Sequence, residues 1–81
     1  RLALRRLRES GEAAVSDLST QERRIFELIG DGLSNREISE RMYIAEKTVK
    51  NYVTNLLRKL GMSRRTEAAA FAARLSERRR Y

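Results

Sequence analysis

Apolar positions along the chain recur at the three-and-four spacing of helices, and no β-branched run alternates at the period of two that a half-buried strand needs. The first periodic stretch opens at Ser19-Thr20-Gln21-Glu22, which has the form of a capping box, with a hydroxyl facing the backbone of Glu22 and a carboxylate reaching back. Ile25, Leu28 and Ile29 supply its stripe, and Gly30 and Gly32 close it, Gly32 as the left-handed cap. The device repeats at Ser34-Asn35-Arg36-Glu37, where Leu33 before the cap and Ile38 after it form a hydrophobic staple for a short helix ending near Met42. Three residues later a long periodic segment runs over 46–60, stopped by Gly61. A fourth, capped by Ser63, is expected from residue 64 to about 75, with an Ala-rich body.

A short helix, a three-residue turn (Tyr43-Ile44-Ala45) and a longer helix form the helix-turn-helix pattern. Ser39 suits it, because a small side chain there lets the two helices approach closely. The 46–60 helix has two distinct faces. Val49, Tyr52, Val53, Leu56, Leu57 and Leu60 make one apolar stripe, and Lys47, Lys50, Asn51, Thr54, Asn55 and Arg58 follow the same progression two positions earlier. Two positions are about 200° around a helix, so the polar set lies opposite the core stripe.

Composition narrows the chemistry. The 81 residues contain no Cys, His, Pro or Trp, which removes the ligands of zinc and iron–sulfur sites and the nucleophiles and bases of Cys- or His-dependent catalysis. No cofactor or metal is expected, and no enzyme, since no Gly-rich phosphate loop or nucleophile–base pair occurs. The formal net charge of +7 is uneven. Residues 20–42 are slightly acidic, whereas 46–60 carries Lys47, Lys50, Arg58 and Lys59 against Glu46 alone; a second basic cluster, Arg78, Arg79 and Arg80, reads as solvated, non-specific support. No apolar run approaches the roughly 18–20 residues that span a bilayer, and no signal-peptide pattern opens the chain, so a cytoplasmic location is expected. The start at Arg1 is expected of a piece of something longer.

The polar face of the 46–60 helix fits the DNA major groove. Lys donates to guanine O6 and N7, Asn pairs bidentately with adenine, and a Thr methyl meets a thymine methyl. Lys47, Lys50, Asn51 and Thr54 are therefore the candidate base contacts. Phosphate contacts are expected from the flanks: Asn35 and Arg36 at the start of the second helix, Thr48 and Tyr52 beside the reading face, and Arg58 and Lys59 at its far end. Tyr52 sits in the apolar stripe, so its ring is expected in the core with the hydroxyl turned outward.

The blocks Ser-Thr-Gln-Glu-Arg, Gly-Leu-Ser-Asn-Arg-Glu-Ile, Glu-Lys-Thr-Val-Lys-Asn-Tyr-Val, Leu-Arg-Lys-Leu-Gly and Arg-Arg-Thr-Glu-Ala-Ala, in this order, resemble the DNA-binding domain of LuxR-type regulators. Within that family the chain is similar to NarL/FixJ response regulators of the actinobacterial DevR/DosR dormancy-regulator kind. The resemblance implies an all-α, four-helix helix-turn-helix domain over 18–76, a linker or partial helix over 1–17 from an upstream receiver domain, and a basic flexible tail over 77–81. It also implies transcriptional regulation in a two-component system, base contacts at Lys47, Lys50 and Asn51, homodimeric binding to inverted half-sites of double-stranded DNA, and RNA polymerase as a further partner. The dimer contact would lie on the fourth helix, at Arg65, Ala69 and Ala73. Three positions depart from the family pattern: Thr20 stands for the usual Pro, Ala45 for a capping Ser or Thr, and Tyr52 for a frequent His.

Two other binding readings fit the pattern less closely. An RNA polymerase specificity-factor domain shares the helix-turn-helix. A basic adaptor for protein or an anionic membrane needs an exposed apolar face, which the core consumes here.

Overall fold

A computed structural model describes residues 14–79, with the backbone alone at 78 and 79. Most of the expected linker and the end of the basic tail lie outside the described residues. After the helical residues 14–16, four helices follow one another among the described residues: α1 (Thr20–Gly30), α2 (Asn35–Met42), α3 (Glu46–Leu60) and α4 (Arg65–Arg79). No strand occurs among the described residues. α1 lies mainly on α4 and also touches α3, while α2 rests on α3.

Both capping boxes form. Ser19 Oγ accepts from the Glu22 amide at 3.1 Å while the Ser19 amide donates to Glu22 Oε1 at 2.9 Å, and the Ser34–Glu37 pair repeats this at 3.2 and 2.8 Å. Each box satisfies two of the backbone donors that a helix start leaves unpaired. The three helix ends that follow share one closing device, in which an amide reaches back five residues: Leu33 to the Leu28 carbonyl, Ile44 to Ser39 and Met62 to Leu57. The residue before each of those amides is left-handed. It is glycine at Gly32 and Gly61, but Tyr43, at φ 58°, takes that conformation between α2 and α3. Tyr43 is also 94% exposed, so no packing offsets the backbone cost.

The core gathers one stripe from each helix. Ile25 and Ile29 of α1, Ile38 of α2, and Val49 and Leu56 of α3 are its most enclosed large side chains, and Ala68 and Ala72 of α4 close it. Ile38 is the sole fully buried residue of α2, so that helix is held chiefly by one side chain, helped by half-buried Leu33, Met42 and Ile44. Truncating Ile38 to Ala costs about 2–5 kcal/mol. Phe26 and Phe71 meet edge to face, with ring centroids 5.9 Å apart, and join α1 to α4.

Three boundaries differ from the sequence expectation. Ser63 does not cap α4 with its hydroxyl; instead Glu67 Oε1 accepts from the Ser63 and Arg64 amides at 3.3 and 3.1 Å, and the helix begins at Arg65. α4 continues through Arg79, because 76–79 contains no glycine or proline to stop it, so residues 77–79 belong to the helix and not to a tail. At the other end, residues 14–16 are helical, and Val15 and Leu18 are buried in the core, so the core draws on the stretch read as linker.

Candidate nucleic-acid interface

α3 is built as the two-faced helix that its sequence implies. Val49, Val53 and Leu56 are buried and Tyr52, Leu57 and Leu60 half-buried, whereas Lys47, Lys50, Asn51, Thr54, Asn55 and Arg58 are all exposed on the other side. The core stripe fixes the rotation of the helix, because turning it by one residue would bury a lysine and expose a valine. Among the described residues, Lys47, Lys50 and Asn51 have no side-chain hydrogen bond or ion pair within the protein. Thr54 Oγ1 donates to the Lys50 carbonyl at 3.1 Å, and Arg58 donates to Asn55 Oδ1 at 3.3 Å. Thr48 is exposed beside this face. Ala45 starts the helix without a side-chain cap, as its lack of an acceptor requires.

Two side chains at the borders are held by the first turn of α1. The Tyr52 hydroxyl donates to Gln21 Oε1, and the Lys59 ammonium lies 2.7 Å from Glu22 Oε1. Tyr52 and Lys59 are two helical turns apart on one side of α3, so neighbouring residues of α1 grip the helix at two heights. Glu22 is 5% exposed, and the hydrogen bond from Lys59, followed by that from the Ser19 amide, holds its carboxyl below the ordinary value of 4.5. Lys59, expected at a phosphate, is thus paired with a buried carboxylate while its own side chain stays 44% exposed. The Tyr52 ring packs on the core as expected, but its hydroxyl is engaged with Gln21.

At the start of α2, Arg36 is exposed and Asn35 half-buried. Asn35 Oδ1 accepts from Arg65 of α4, whose other nitrogen donates to the Leu33 carbonyl at 2.5 Å. Arg65, expected in a dimer contact, also joins α4 to α2 within one chain. Glu37 lies in the same first turn, its carboxyl held below the ordinary range by the bond from the Ser34 amide. Ala69 is half-buried and Ala73 exposed on α4, beside the buried Ala68 and Ala72.

Sequence reasoning missed Gln21 and Glu22 as partners of α3, and no local spacing could have paired residues 31 and 37 positions apart. A signal for Lys59 did exist. It falls three residues after Leu56, on the shoulder of the apolar stripe, away from the polar face.

Among the described residues, no group of three or more acidic side chains could hold a metal ion, and no helix is long and apolar enough to cross a membrane. The family model described as bacterial regulatory proteins, luxR family, matches residues 16–72. The chain belongs to the luxR family. The fold is the all-α helix-turn-helix domain of that family, and its matched span runs from Ser16, just after the buried Val15, to the buried Ala72 of α4. Among its relatives is the DNA-binding transcriptional activator DevR/DosR of Mycobacterium tuberculosis, 55% identical over 65 residues, which are 80% of this chain and 30% of that protein. The transcriptional regulatory protein LiaR of Bacillus subtilis is 48% identical over 73 residues (88% and 35%), and the nitrate/nitrite response regulator protein NarL of Escherichia coli K12 is 41% identical over 69 (85% and 32%). The chain spans about a third of the length of these three luxR-family relatives.

Proposed function

We propose that this luxR-family domain is the DNA-reading part of a transcriptional response regulator, with α3 in the major groove. The observation that carries the proposal is the exposed set Lys47, Lys50, Asn51 and Thr54, rotated away from the core on a helix whose angle two ties to α1 fix. These four meet base edges; Arg36, Thr48 and Arg58, with the outer amide of Asn35, meet phosphates on either side. Tyr52 adds a phosphate contact when its hydroxyl turns from Gln21. Lys59 stays with Glu22 and is left out of the contact set.

Two copies pair through the small-residue strip of α4 at Ala69 and Ala73, which places two reading helices on inverted half-sites. Arg65 takes no part in that pairing. The remaining length of a relative such as NarL would supply the signal-receiving part.

Selection of bound duplexes from a random pool, followed by titration of variants, tests the reading. Lys50→Ala or Asn51→Ala should lose about 1–3 kcal/mol on the selected site and relax preference at one base pair, whereas Arg58→Ala should weaken all duplexes alike. Equal losses for Lys50→Ala on selected and scrambled duplexes would overturn the assignment.

A further inference from the structure

Arg65 is the first residue of α4 and not part of α3, yet both arms of its guanidinium end around the start of α2. One donates to Asn35 Oδ1, the other to the Leu33 carbonyl at 2.5 Å. These acceptors flank Ser34, the cap of α2. We infer that Arg65 is a positioning residue for DNA binding: it sets the amide of Asn35 so that the NH2 group faces a backbone phosphate, and does not itself touch DNA. The inference rests on the reading above, in which Asn35 meets a phosphate.

The chemistry of the pair allows one arrangement. A guanidinium carries donors and no acceptor, so only the carbonyl oxygen of Asn35 can face it. The amide nitrogen then occupies the opposite side of the group, as a donor. An unheld asparagine at this first helical position samples both orientations, and one of them turns an oxygen toward the phosphate. Holding the side chain removes that unproductive state and the rotamer entropy that binding would otherwise cost. The second arm acts on the backbone, fixing the loop carbonyl just before the cap, so that Asn35 and the helix start move together. α4 is in turn seated in the core by Ala68 and Ala72, both buried. The phosphate-facing end of α2 is therefore placed by α4, thirty residues later in the chain.

Two other roles for Arg65 make different predictions. A direct phosphate ligand releases counterions, so its loss lowers the dependence of log affinity on log salt by about 0.9 per protomer. A simple fold tie changes stability and affects DNA binding only through unfolding. A positioning residue leaves the salt slope unchanged and weakens binding even in the fully folded domain, and acts only while Asn35 is present.

The experiment measures binding of the 81-residue chain to a selected duplex and a scrambled one over a range of salt, by fluorescence anisotropy, with melting followed by circular dichroism. Asn35→Ala and Arg65→Met should each weaken both duplexes by on the order of 10-fold, the scale of one hydrogen bond to a charged group. The double variant should be no weaker than either single one, and the salt slope should stay that of the wild type. Asn35→Asp keeps an acceptor for Arg65, so it should melt no earlier than the wild type while binding less tightly than Asn35→Ala. If Arg65→Met melts below the assay temperature, Arg65→Lys, which keeps the charge but loses the two-pronged geometry, carries the same expectation. A further loss on adding Arg65→Met to Asn35→Ala, or a slope lower by about one, overturns the inference. So does unchanged binding by Asn35→Ala. Absence of wild-type binding to every duplex is a separate result, and it overturns the parent reading as well.

Discussion

Gly30 is the last residue of α1, and a Cβ built on it would stand 2.6 Å from the Cβ of Ala72 on α4, with the Ala72 carbonyl carbon at 3.3 Å and the Ala73 nitrogen at 3.4 Å. Carbon atoms pack at about 3.5–4.0 Å, so Gly30→Ala drives the two helices apart by roughly 1 Å at this point. The obstacle is a methyl on a helix backbone, which has no rotamer to turn. Overpacking of this kind costs about 1–3 kcal/mol, against at most ~1 kcal/mol of helix propensity gained by replacing glycine. The clash wins, and the net loss is about 1–2 kcal/mol, equivalent to roughly 5–15 °C in a domain of this size. Ala72→Gly added to Gly30→Ala deletes the nearest atom and exchanges the glycine from one helix to the other, so the double variant should return to within about 1 kcal/mol of the wild type. Thermal and urea unfolding followed at 222 nm measure all four proteins and give the coupling directly. A Gly30→Ala variant that melts above the wild type, as an exposed helical glycine would, refutes the reasoning. So does a double variant whose loss is the sum of the two single ones.

Other expectations follow from single sites. Glu22→Gln should cost about 1–2 kcal/mol at neutral pH through the bonds from Lys59 and the Ser19 amide. Because the folded carboxyl titrates below its ordinary value of 4.5, this stabilisation is complete above that value, and is lost as pH falls through the lowered one. The melting gap between wild type and variant should therefore be flat near neutrality and close in acid; a constant gap down to the acid limit would disprove the link. Tyr43→Asn, at the left-handed position where α1 and α3 have glycine, should stabilise by about 1 kcal/mol, and a lower melting temperature would show that the ring contributes to the fold. Ala73→Glu, on the exposed strip of α4, should leave the melting temperature unchanged and raise the dimer dissociation constant in sedimentation, provided α4 is the pairing helix.

What the sequence shows well is what the chain encodes locally. Both capping boxes, the left-handed glycines at 32 and 61, the 46–60 helix and its two faces all depend on residues within about four positions of one another, and each is present. The placement of Tyr52 and Leu60 on the core side follows from the same periodicity. Non-local pairings were out of reach. Gln21 with Tyr52, Glu22 with Lys59, and Asn35 with Arg65 join residues thirty or more apart, and each recasts a side chain whose type alone suggested a surface contact. Arginine and lysine are especially hard to place from type alone, because the charge that suits a phosphate equally suits a carboxylate or carbonyl of the same molecule. The end of α4 was missed for a different reason. The chain changes there from alanine to charged residues, but charged residues propagate a helix as well as apolar ones do, and composition marks no stop.

The anchoring of α3 is lopsided. Its last ten residues are bound to α1 through Tyr52 and Lys59 and finish in a closed left-handed turn at Gly61, while its beginning has neither a side-chain cap nor a tie to another helix beyond the core stripe. The polar ties are thus concentrated toward the rear of the helix, while its leading turns are seated by packing alone, through the fully buried Val49. Lys47 and Lys50 flank that valine. Under the proposed reading, the two amines that would meet base edges are therefore placed by apolar contact, which is sensitive to the volume of one side chain, and not by hydrogen bonds.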